Sequence, residues 1–316
     1  MKIKYFALFG LFYLLYSHSA NALEYPSISV MFAGKNLDEK WPSAKELSHY
    51  DIIITQGWPA TLIEEVKTLN SNIELLRASQ GPWVNTNGYG SEILNAEGFK
   101  REFFLLHHSD GSEITWWNDA IVFYNFASTE AVDWLADYVM MIYNQEPGKS
   151  YYTGMYFDGL HYTIWDWIKK AIYTTNPEDI DIDADGNGIK DSQGDFDQAW
   201  SSGIIRFLEK LNDLNLHIVA NDAPDYDIKY YKDYLQGATF ENQLTYWLEG
   251  KDWFFPWSGI IELGNSWIAQ AKQPPLSLAL LGGPSEVIYS SKFNNPYILG
   301  SGSVGIYATI FQIRPL

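Results

Sequence analysis

Short apolar segments alternate along the chain with longer segments in which apolar residues recur at helical spacing. The short segments are rich in β-branched and aromatic residues, which is typical of buried strands. Eight such strands are predicted, at residues 28–34, 50–58, 72–80, 152–160, 216–223, 238–244, 277–283 and 304–311. Helices are predicted between them at 59–69, 129–144, 196–214, 227–235 and 260–271. This alternation predicts an α/β fold with a parallel sheet.

Eight strands with intervening helices, in about 290 residues, match the size of a (β/α)8 TIM barrel. An open, doubly wound sheet is the competing architecture, but no Gly-x-Gly-x-x-Gly turn follows the first strand, so a dinucleotide-binding sheet would lack its phosphate site. Long connections are predicted after the third strand, at 81–128, and after the fourth, at 161–195. Such connections usually shape the site at the C-terminal face of a barrel. Five residues follow the last strand, so either the closing eighth helix is absent or that strand is misassigned.

The N-terminal segment 1–22 has the pattern of a secretory signal peptide. Lys2 and Lys4 precede an apolar core at 5–16, and Ala20-Asn21-Ala22 offers a small-x-small cleavage site. The apolar core is too short to span a bilayer, although an uncleaved membrane anchor is the alternative. The pattern predicts a bacterial protein that is secreted or periplasmic, with 23–316 as a single barrel domain and no later membrane span.

The amino-acid composition limits the kinds of molecule that this protein is expected to bind. The chain has no cysteine, 13 Trp and 22 Tyr, and a formal net charge of −18. An exported chain without disulfides must be held together by its core, as one large domain can be. The negative charge would repel phosphate backbones, which argues against nucleic acid as a partner. Aromatic rings offer flat surfaces for sugar faces, and the candidates for lining a sugar groove are Trp116, Trp117, Trp165 and Trp247.

Three acids stand near the ends of predicted strands, Asp158 in the fourth, Asp222 in the fifth and Glu241 in the sixth. All strands of a parallel barrel end at one face, so these carboxylates are expected to converge over one pocket. Two convergent carboxylates can cleave a glycosidic bond. Each acid alone could instead cap the next helix or pair with Arg77. Otherwise Arg77 and Gln56, at the ends of strands three and two, are predicted to hold sugar hydroxyls.

Residues 183–191 carry oxygen-bearing side chains at the spacing of a calcium-binding loop, with a glycine at its sixth position where the chain must turn. The twelfth position is Gly194 rather than a bidentate acid, so Asp195, or alternatively Asp181, must supply the missing oxygens. The pattern predicts a structural calcium ion in an insertion at about 181–195, with an acidic solvated loop as the alternative. The predicted ligands are Asp183, Asp185, Asn187, the carbonyl of Ile189, Asp191 and Asp195.

Several short motifs occur in a fixed order along the chain. They are Phe104-Leu-Leu-His-His-Ser-Asp-Gly111, Trp116-Trp117, Glu130-Ala-Val-Asp-Trp-Leu-Ala-Asp137, Gly154-Met-Tyr-Phe-Asp-Gly159 and Phe240-Glu-Asn242. In this order they resemble the glycoside-hydrolase-like TIM barrels related to the endo-α-1,4-polygalactosaminidase family. The resemblance implies an acid at the end of strand four and a glutamate at the end of strand six, which here are Asp158 and Glu241.

The sequence therefore predicts hydrolysis of glycosidic bonds in a polysaccharide, with Asp158 as nucleophile, Glu241 as general acid/base and Asp222 in reserve for either role. The alternative is a non-catalytic glycan-binding or cell-surface protein on a degenerate barrel. A calcium-dependent lyase is a third class, but basic residues that would bind an anionic sugar are scarce. The motifs of serine hydrolases and zinc peptidases, Gly-x-Ser-x-Gly and His-Glu-x-x-His, are absent from the sequence.

Overall fold

The structure is a computed structural model that describes residues 28–32, 41–55, 57–87, 90–116, 119–165, 168–169, 180–221, 231–241, 266–267, 269–272, 276–281 and 306–312. The strands, numbered in chain order, are β1 Ile28–Phe32, β2 Ile52–Thr55, β3 Glu74–Gln80, β4 Trp83–Asn85, β5 Thr115–Trp116, β6 Ile121–Phe123, β7 Gly154–Asp158, β8 His217–Asn221, β9 Gly237–Glu241, β10 Leu276–Leu281 and β11 Ile306–Gln312. The helices are α1 Ala44–Leu47, α2 Ala60–Leu69, α3 Arg101–Phe104, α4 Thr129–Gln145 and α5 Gln193–Asn212.

Eight of these strands close into a barrel in the order β1-β2-β3-β7-β8-β9-β10-β11, and β11 pairs with β1 to complete it. Each predicted strand segment overlaps one barrel strand. The predicted α/β fold with a parallel sheet is confirmed from β1 to β10. The all-parallel arrangement is wrong at the last strand, because β11 runs antiparallel to both of its neighbours. An alternation of apolar residues identifies a strand but reads the same in both directions, so it could not reveal this reversal.

Burial on both faces explains why the barrel strands are so apolar. The four residues of β2, Ile52–Thr55, are all buried, as expected for a strand that faces the barrel interior on one side and helices on the other. In β7 the outward residue Phe157 meets Phe207 of α5 edge-on, with ring centroids 5.5 Å apart. The core therefore continues from the sheet into the helix layer.

The main helices begin at side-chain caps that the sequence makes visible. Ser128 accepts a hydrogen bond from Ala131 N at the start of α4, and Ser192 accepts one from Asp195 N at the start of α5. The predicted helices at 59–69, 129–144 and 196–214 agree with α2, α4 and α5 to within three residues at each end. Of those predicted at 227–235 and 260–271, only 231–235, 266–267 and 269–271 fall within the described residues.

The two long connections leave the barrel after β3 and β7. The first contains α3 and a three-stranded antiparallel sheet in the order β4-β6-β5. The second joins it through an antiparallel bridge, in which Asp183 N donates to His107 O at 2.9 Å. Ser109 also donates from N and Oγ to the two carboxylate oxygens of Asp181, at 3.2 and 2.7 Å. The connections thus form one continuous structure on the C-terminal side of the sheet.

Among the helices that the structure describes, none is long and apolar enough to cross a membrane. The predicted signal peptide at 1–22 falls outside the described residues, so export and cleavage near Ala22 stay predictions.

Candidate active site

Asp158 is the last residue of β7 and faces the interior of the barrel. Successive side chains of a strand point to opposite faces, and Phe157, one residue earlier, packs outward on α5. Asp158 pairs across the sheet with Gln80 at the end of β3, so it stands at the C-terminal mouth. As a residue it is partly exposed, whereas the four preceding residues of β7 are buried. The strand therefore presents one carboxyl group at the opening of an apolar interior.

The carboxyl group of Asp158 is held by Asn221, the last residue of β8. Asn221 Nδ2 donates to Asp158 Oδ1 at 3.0 Å, and Asn221 is only 1% exposed. Burial raises the pKa of Asp158 above its ordinary value, and the hydrogen bond from Asn221 opposes this rise with a smaller effect. Asp158 thus binds its proton more strongly than a free aspartate does, as carboxyl groups at catalytic sites often do.

Two glycines allow the first long connection to approach Asp158 closely. A Cβ on Gly81 would lie 1.7 Å from the carbonyl oxygen of Asp158. Gly159 has a φ of 72°, and a Cβ there would lie 1.8 Å from Cη2 of Trp83. Larger residues at either position would separate Trp83 from the strand end, so both glycines bring this indole ring against the backbone beside Asp158.

Trp83 belongs to an aromatic group next to the acid. Its ring stands edge-on to that of Trp116, with centroids 6.5 Å apart, and its centroid lies 6.1 Å from that of His161. Trp83 and Trp116 are both partly exposed. Trp116 was predicted from the sequence to line a sugar groove, and Trp83 was not. Trp83 stands two residues after Gly81, at the end of a predicted strand, and this position could have identified it.

Glu241 is the last residue of β9, which is separated from β7 by β8 alone. Asn221 pairs with Thr239, so position 241, two residues further, falls on the same face of the sheet as position 239. Adjacent strands lie about 4.8 Å apart. The backbone therefore places Asp158 and Glu241 on strands two spacings apart, at the same end of the barrel.

The remaining predicted substrate contacts divide into three groups. Arg77 Nε donates to Glu146 Oε2 at 2.9 Å, and Glu146 is the C-cap of α4. Arg77 therefore lies on the helix side of β3 and pairs with Glu146 rather than with a strand-end acid, so the structure does not bring it to Asp158. Trp165 is 5% exposed and packs on Phe196, which makes it a core residue. Gln56, Trp117, Asp222 and Trp247 lie outside the described residues.

The predicted calcium loop folds around the carboxylate of Asp183. Asp183 Oδ1 accepts from Asn187 N at 3.0 Å, and Asp183 Oδ2 accepts from Gly188 N at 2.8 Å. Asp191 Oδ2 accepts from Ala184 N at 2.8 Å. Burial raises the pKa of Asp191, and the neighbouring carboxylates of Asp185, Asp183 and Asp195 raise it further. Like charges are thus crowded at this loop.

Other predicted ligands lie less centrally. Asp195 Oδ2 accepts from Ser192 Oγ at 2.7 Å in the cap of α5, and the side chain of Ile189 is exposed. In the part of the chain that the structure describes, no three His, Cys, Asp or Glu side chains converge closely enough to hold a metal ion. The calcium site stays a prediction.

A cleft of about 820 Å³ lies between the loop and the hairpin at 105–114. Among the described residues that line it there is neither Lys nor Arg. Seven carboxylates contribute to it, from Glu102, Asp110, Glu130, Asp183, Asp185, Asp191 and Asp195. A concave surface with charges of one sign concentrates counter-ions of the opposite sign.

The closed sheet and its helices, with Asp158 and Glu241 at the C-terminal mouth, define the chain as an α/β barrel. No protein-family model matches it, and no curated protein matches it. The glycoside hydrolase domain of PelA from Pseudomonas aeruginosa is similar in structure, with 10% identity and a TM-score of 0.45 over 80% of this chain and 94% of that chain. For a variant of that domain the chain spans 66% of the other chain.

Two further solved structures share less of their length with this chain. A noncanonic maltogenic α-amylase, AmyB from Thermotoga neapolitana, has 9% identity and a TM-score of 0.45 over 79% of this chain and 57% of that chain. The GH36 α-galactosidase AgaA from Geobacillus stearothermophilus has 8% identity and a TM-score of 0.39 over 62% and 27%. These neighbours are glycoside hydrolases, but at this level of similarity they assign no activity to the present chain.

Proposed function

We propose that this barrel hydrolyses glycosidic bonds in a polysaccharide, with Asp158 and Glu241 as its carboxylate pair. One observation carries the proposal: Asp158 is a partly exposed residue with a desolvated carboxyl group at the C-terminal mouth of the parallel strands, where the backbone of β9 also ends in Glu241. Active sites of parallel barrels are built at this end. Cleavage of a glycosidic bond requires two carboxyl groups there.

In the proposed reaction Asp158 attacks the anomeric carbon while Glu241 donates a proton to the leaving oxygen. The glycosidic C–O bond breaks, and a bond from the sugar to Asp158 forms. Glu241, now ionised, takes a proton from a water molecule that displaces Asp158 and restores both groups. A separation of about 5–5.5 Å between the carboxyl groups corresponds to this retaining course, whereas about 6.5–9.5 Å would let Asp158 activate water directly and invert the anomeric centre.

Asn221 and Trp83 have supporting roles in this proposal. The amide of Asn221 donates to Asp158 Oδ1, which stabilises the ionised form that a nucleophile or base needs and fixes its orientation. Trp83 and Trp116 are partly exposed beside the strand end, where an indole face can stack on a sugar ring.

The test is release of reducing ends from a panel of polysaccharides by the mature chain and its variants. Asp158→Asn and Glu241→Gln keep the shape of each side chain and remove the ionisable group, so each is expected to lower kcat by about 10²–10⁴-fold. Asp137→Asn makes the same change on the exposed face of α4 and should leave kcat unaltered.

Full activity in either Asp158→Asn or Glu241→Gln would rule out that residue and promote Asp222. Binding to a glycan without release of reducing ends by the wild-type chain would favour the non-catalytic alternative.

A further inference from the structure

Asn125 is a buried polar residue with an oxygen that lacks a partner. It follows β6 in the first long connection and is 3% exposed. Its Nδ2 donates to Ala184 O at 2.7 Å and faces Phe103 O at 3.4 Å. Because two carbonyl oxygens face one end of the amide, that end must be the NH2 group. The other end, Oδ1, has no hydrogen-bond partner among the described residues. Buried acceptors are rarely left in this state.

The amide of Asn125 connects the first long connection to the acidic loop. Asn125 lines the cleft together with Asp183, Asp185 and Asp191, and its amide is bonded to Ala184, between the first two of these. No described Lys or Arg lines this cleft, although one of its acids, Glu130, pairs with Lys100. A set of oxygens with this composition suits a hard divalent cation.

The two acids that could replace the missing twelfth ligand already accept hydrogen bonds from serines, although each keeps lone pairs that an ion could use. Asp181 receives two hydrogen bonds from Ser109, and Asp195 receives one from Ser192 in the cap of α5. Asn125 Oδ1, in contrast, is a free acceptor beside the loop. A carboxylate oxygen that accepts one N–H keeps a second lone pair, so the hydrogen bonds to Asp183 do not prevent it from binding an ion.

We propose that the 183–191 loop binds a calcium ion and that Asn125 Oδ1 completes the site from the other long connection. The ligands would be Asp183, Asp185, Asn187, the carbonyl of Ile189, Asp191 and Asn125, which reaches the six oxygens that calcium requires. Binding draws Asp185 and Asp191 toward Asp183, against the repulsion between their charges. The ion then ties the two connections together above the sheet. Nothing in this proposal depends on glycan hydrolysis.

The loop is tested by titrating the chelator-treated full chain with calcium in a calorimeter, with tryptophan-sensitised terbium luminescence as a second readout. One calcium site per chain is expected, with much weaker binding of magnesium at equal ionic strength.

Asp185→Asn should weaken calcium binding at least about tenfold. Asp110→Asn makes the same change of charge in the same cleft but outside the loop, and should alter affinity by less than about threefold. Equal losses in both variants would indicate diffuse counter-ion binding and overturn the site, as would the absence of saturable binding.

Asn125 is tested with two substitutions. Asn125→Leu removes the oxygen and should weaken calcium binding by about tenfold, whereas Asn125→Asp keeps an oxygen, adds a charge and should bind calcium more tightly than wild type. Circular dichroism and the melting temperature in EDTA report whether each variant folds. If Asn125→Leu does not fold, Asn125→Asp still decides the point, because its melting temperature should rise more on calcium addition than that of wild type. An unchanged affinity in Asn125→Asp, or wild-type affinity in a folded Asn125→Leu, would remove Asn125 from the site.

Discussion

At the scale of single residues, two opposing effects act on Asp158. Apolar surroundings favour the protonated acid, and the amide of Asn221 favours the carboxylate. Burial has the larger effect, so the group is poised closer to neutral pH than an ordinary aspartate, while Asn221 keeps part of the ionised form available. The neutral amide of Asn221 thus lowers the pKa of Asp158, the carboxyl group on which the proposed reaction depends.

Replacing Asn221 with Ala should shift the pH dependence of activity. Without the amide donor the pKa of Asp158 rises further, and because a nucleophile must be ionised, the acidic limb of kcat/KM moves to higher pH. The rate at the optimum should fall by about tenfold or more through loss of orientation. Asn144→Ala, an exposed substitution on α4, is the matched control. Movement of the alkaline limb instead would assign Asp158 the role of proton donor.

Asp158 should also cost the protein stability at neutral pH. Its pKa is raised in the folded state, so folding favours the protonated form, and the stability that this form contributes is lost as the pH rises through the folded pKa. Asp158→Asn cannot ionise and should unfold at higher urea concentration than wild type at pH 7. The difference should vanish near pH 3, below the ordinary pKa of aspartate of about 3.9. An equal advantage at both pH values would show that burial of the charge is not its cause.

At the scale of elements, α5 packs unusually close to the start of α4. A Cβ on Gly203 would lie 1.8 Å from the backbone oxygen of Phe126, so this face of α5 touches main chain directly. The same pair of helices also carries ion pairs, in which Arg206 donates to both carboxylate oxygens of Asp133 at 2.6 and 2.7 Å. The contact with the backbone fixes the helix more firmly than the exposed ion pairs, which contribute little.

Gly203→Ala is therefore expected to destabilise the protein. Alanine favours a helix over glycine by about 1 kcal/mol, but a methyl group that must displace backbone costs about 1–3 kcal/mol or more, so the steric effect wins. Ser202→Ala, at the exposed neighbouring position of α5, should change the free energy of unfolding by less than about 0.5 kcal/mol. Chemical denaturation of both variants measures the difference. Wild-type stability in Gly203→Ala would mean that the helix shifts without cost.

Strands and helices could be predicted from the sequence where a local pattern of residues is enough to determine them. The isoleucine run of β2 and the serine caps of α4 and α5 are local signals, and so was the position of Asp158 at a strand end. The contact between Asp158 and Asn221 was not predictable, because it depends on the register that pairs Phe157 with Ala220. The place of Trp83 depends likewise on packing against Gly159.

At the scale of the whole molecule, closure of the barrel places the ends of β3, β7, β8 and β9 at one mouth and directs both long connections to that side. The sequence could predict this gathering, because it follows from parallel strands, but not the reversed direction of β11, which no local pattern encodes. Nor did it reveal that Arg77 faces the helices, since alternation places a residue on a face only once the register is known.

The reversal of β11 has a practical consequence for handling the protein. β10 ends at the mouth and β11 begins there, so the chain leaves β11 after Gln312 at the opposite end of the barrel. A surface anchor placed directly after Gln312 would therefore leave the mouth oriented toward the solution, where long chains of the proposed substrate can reach it.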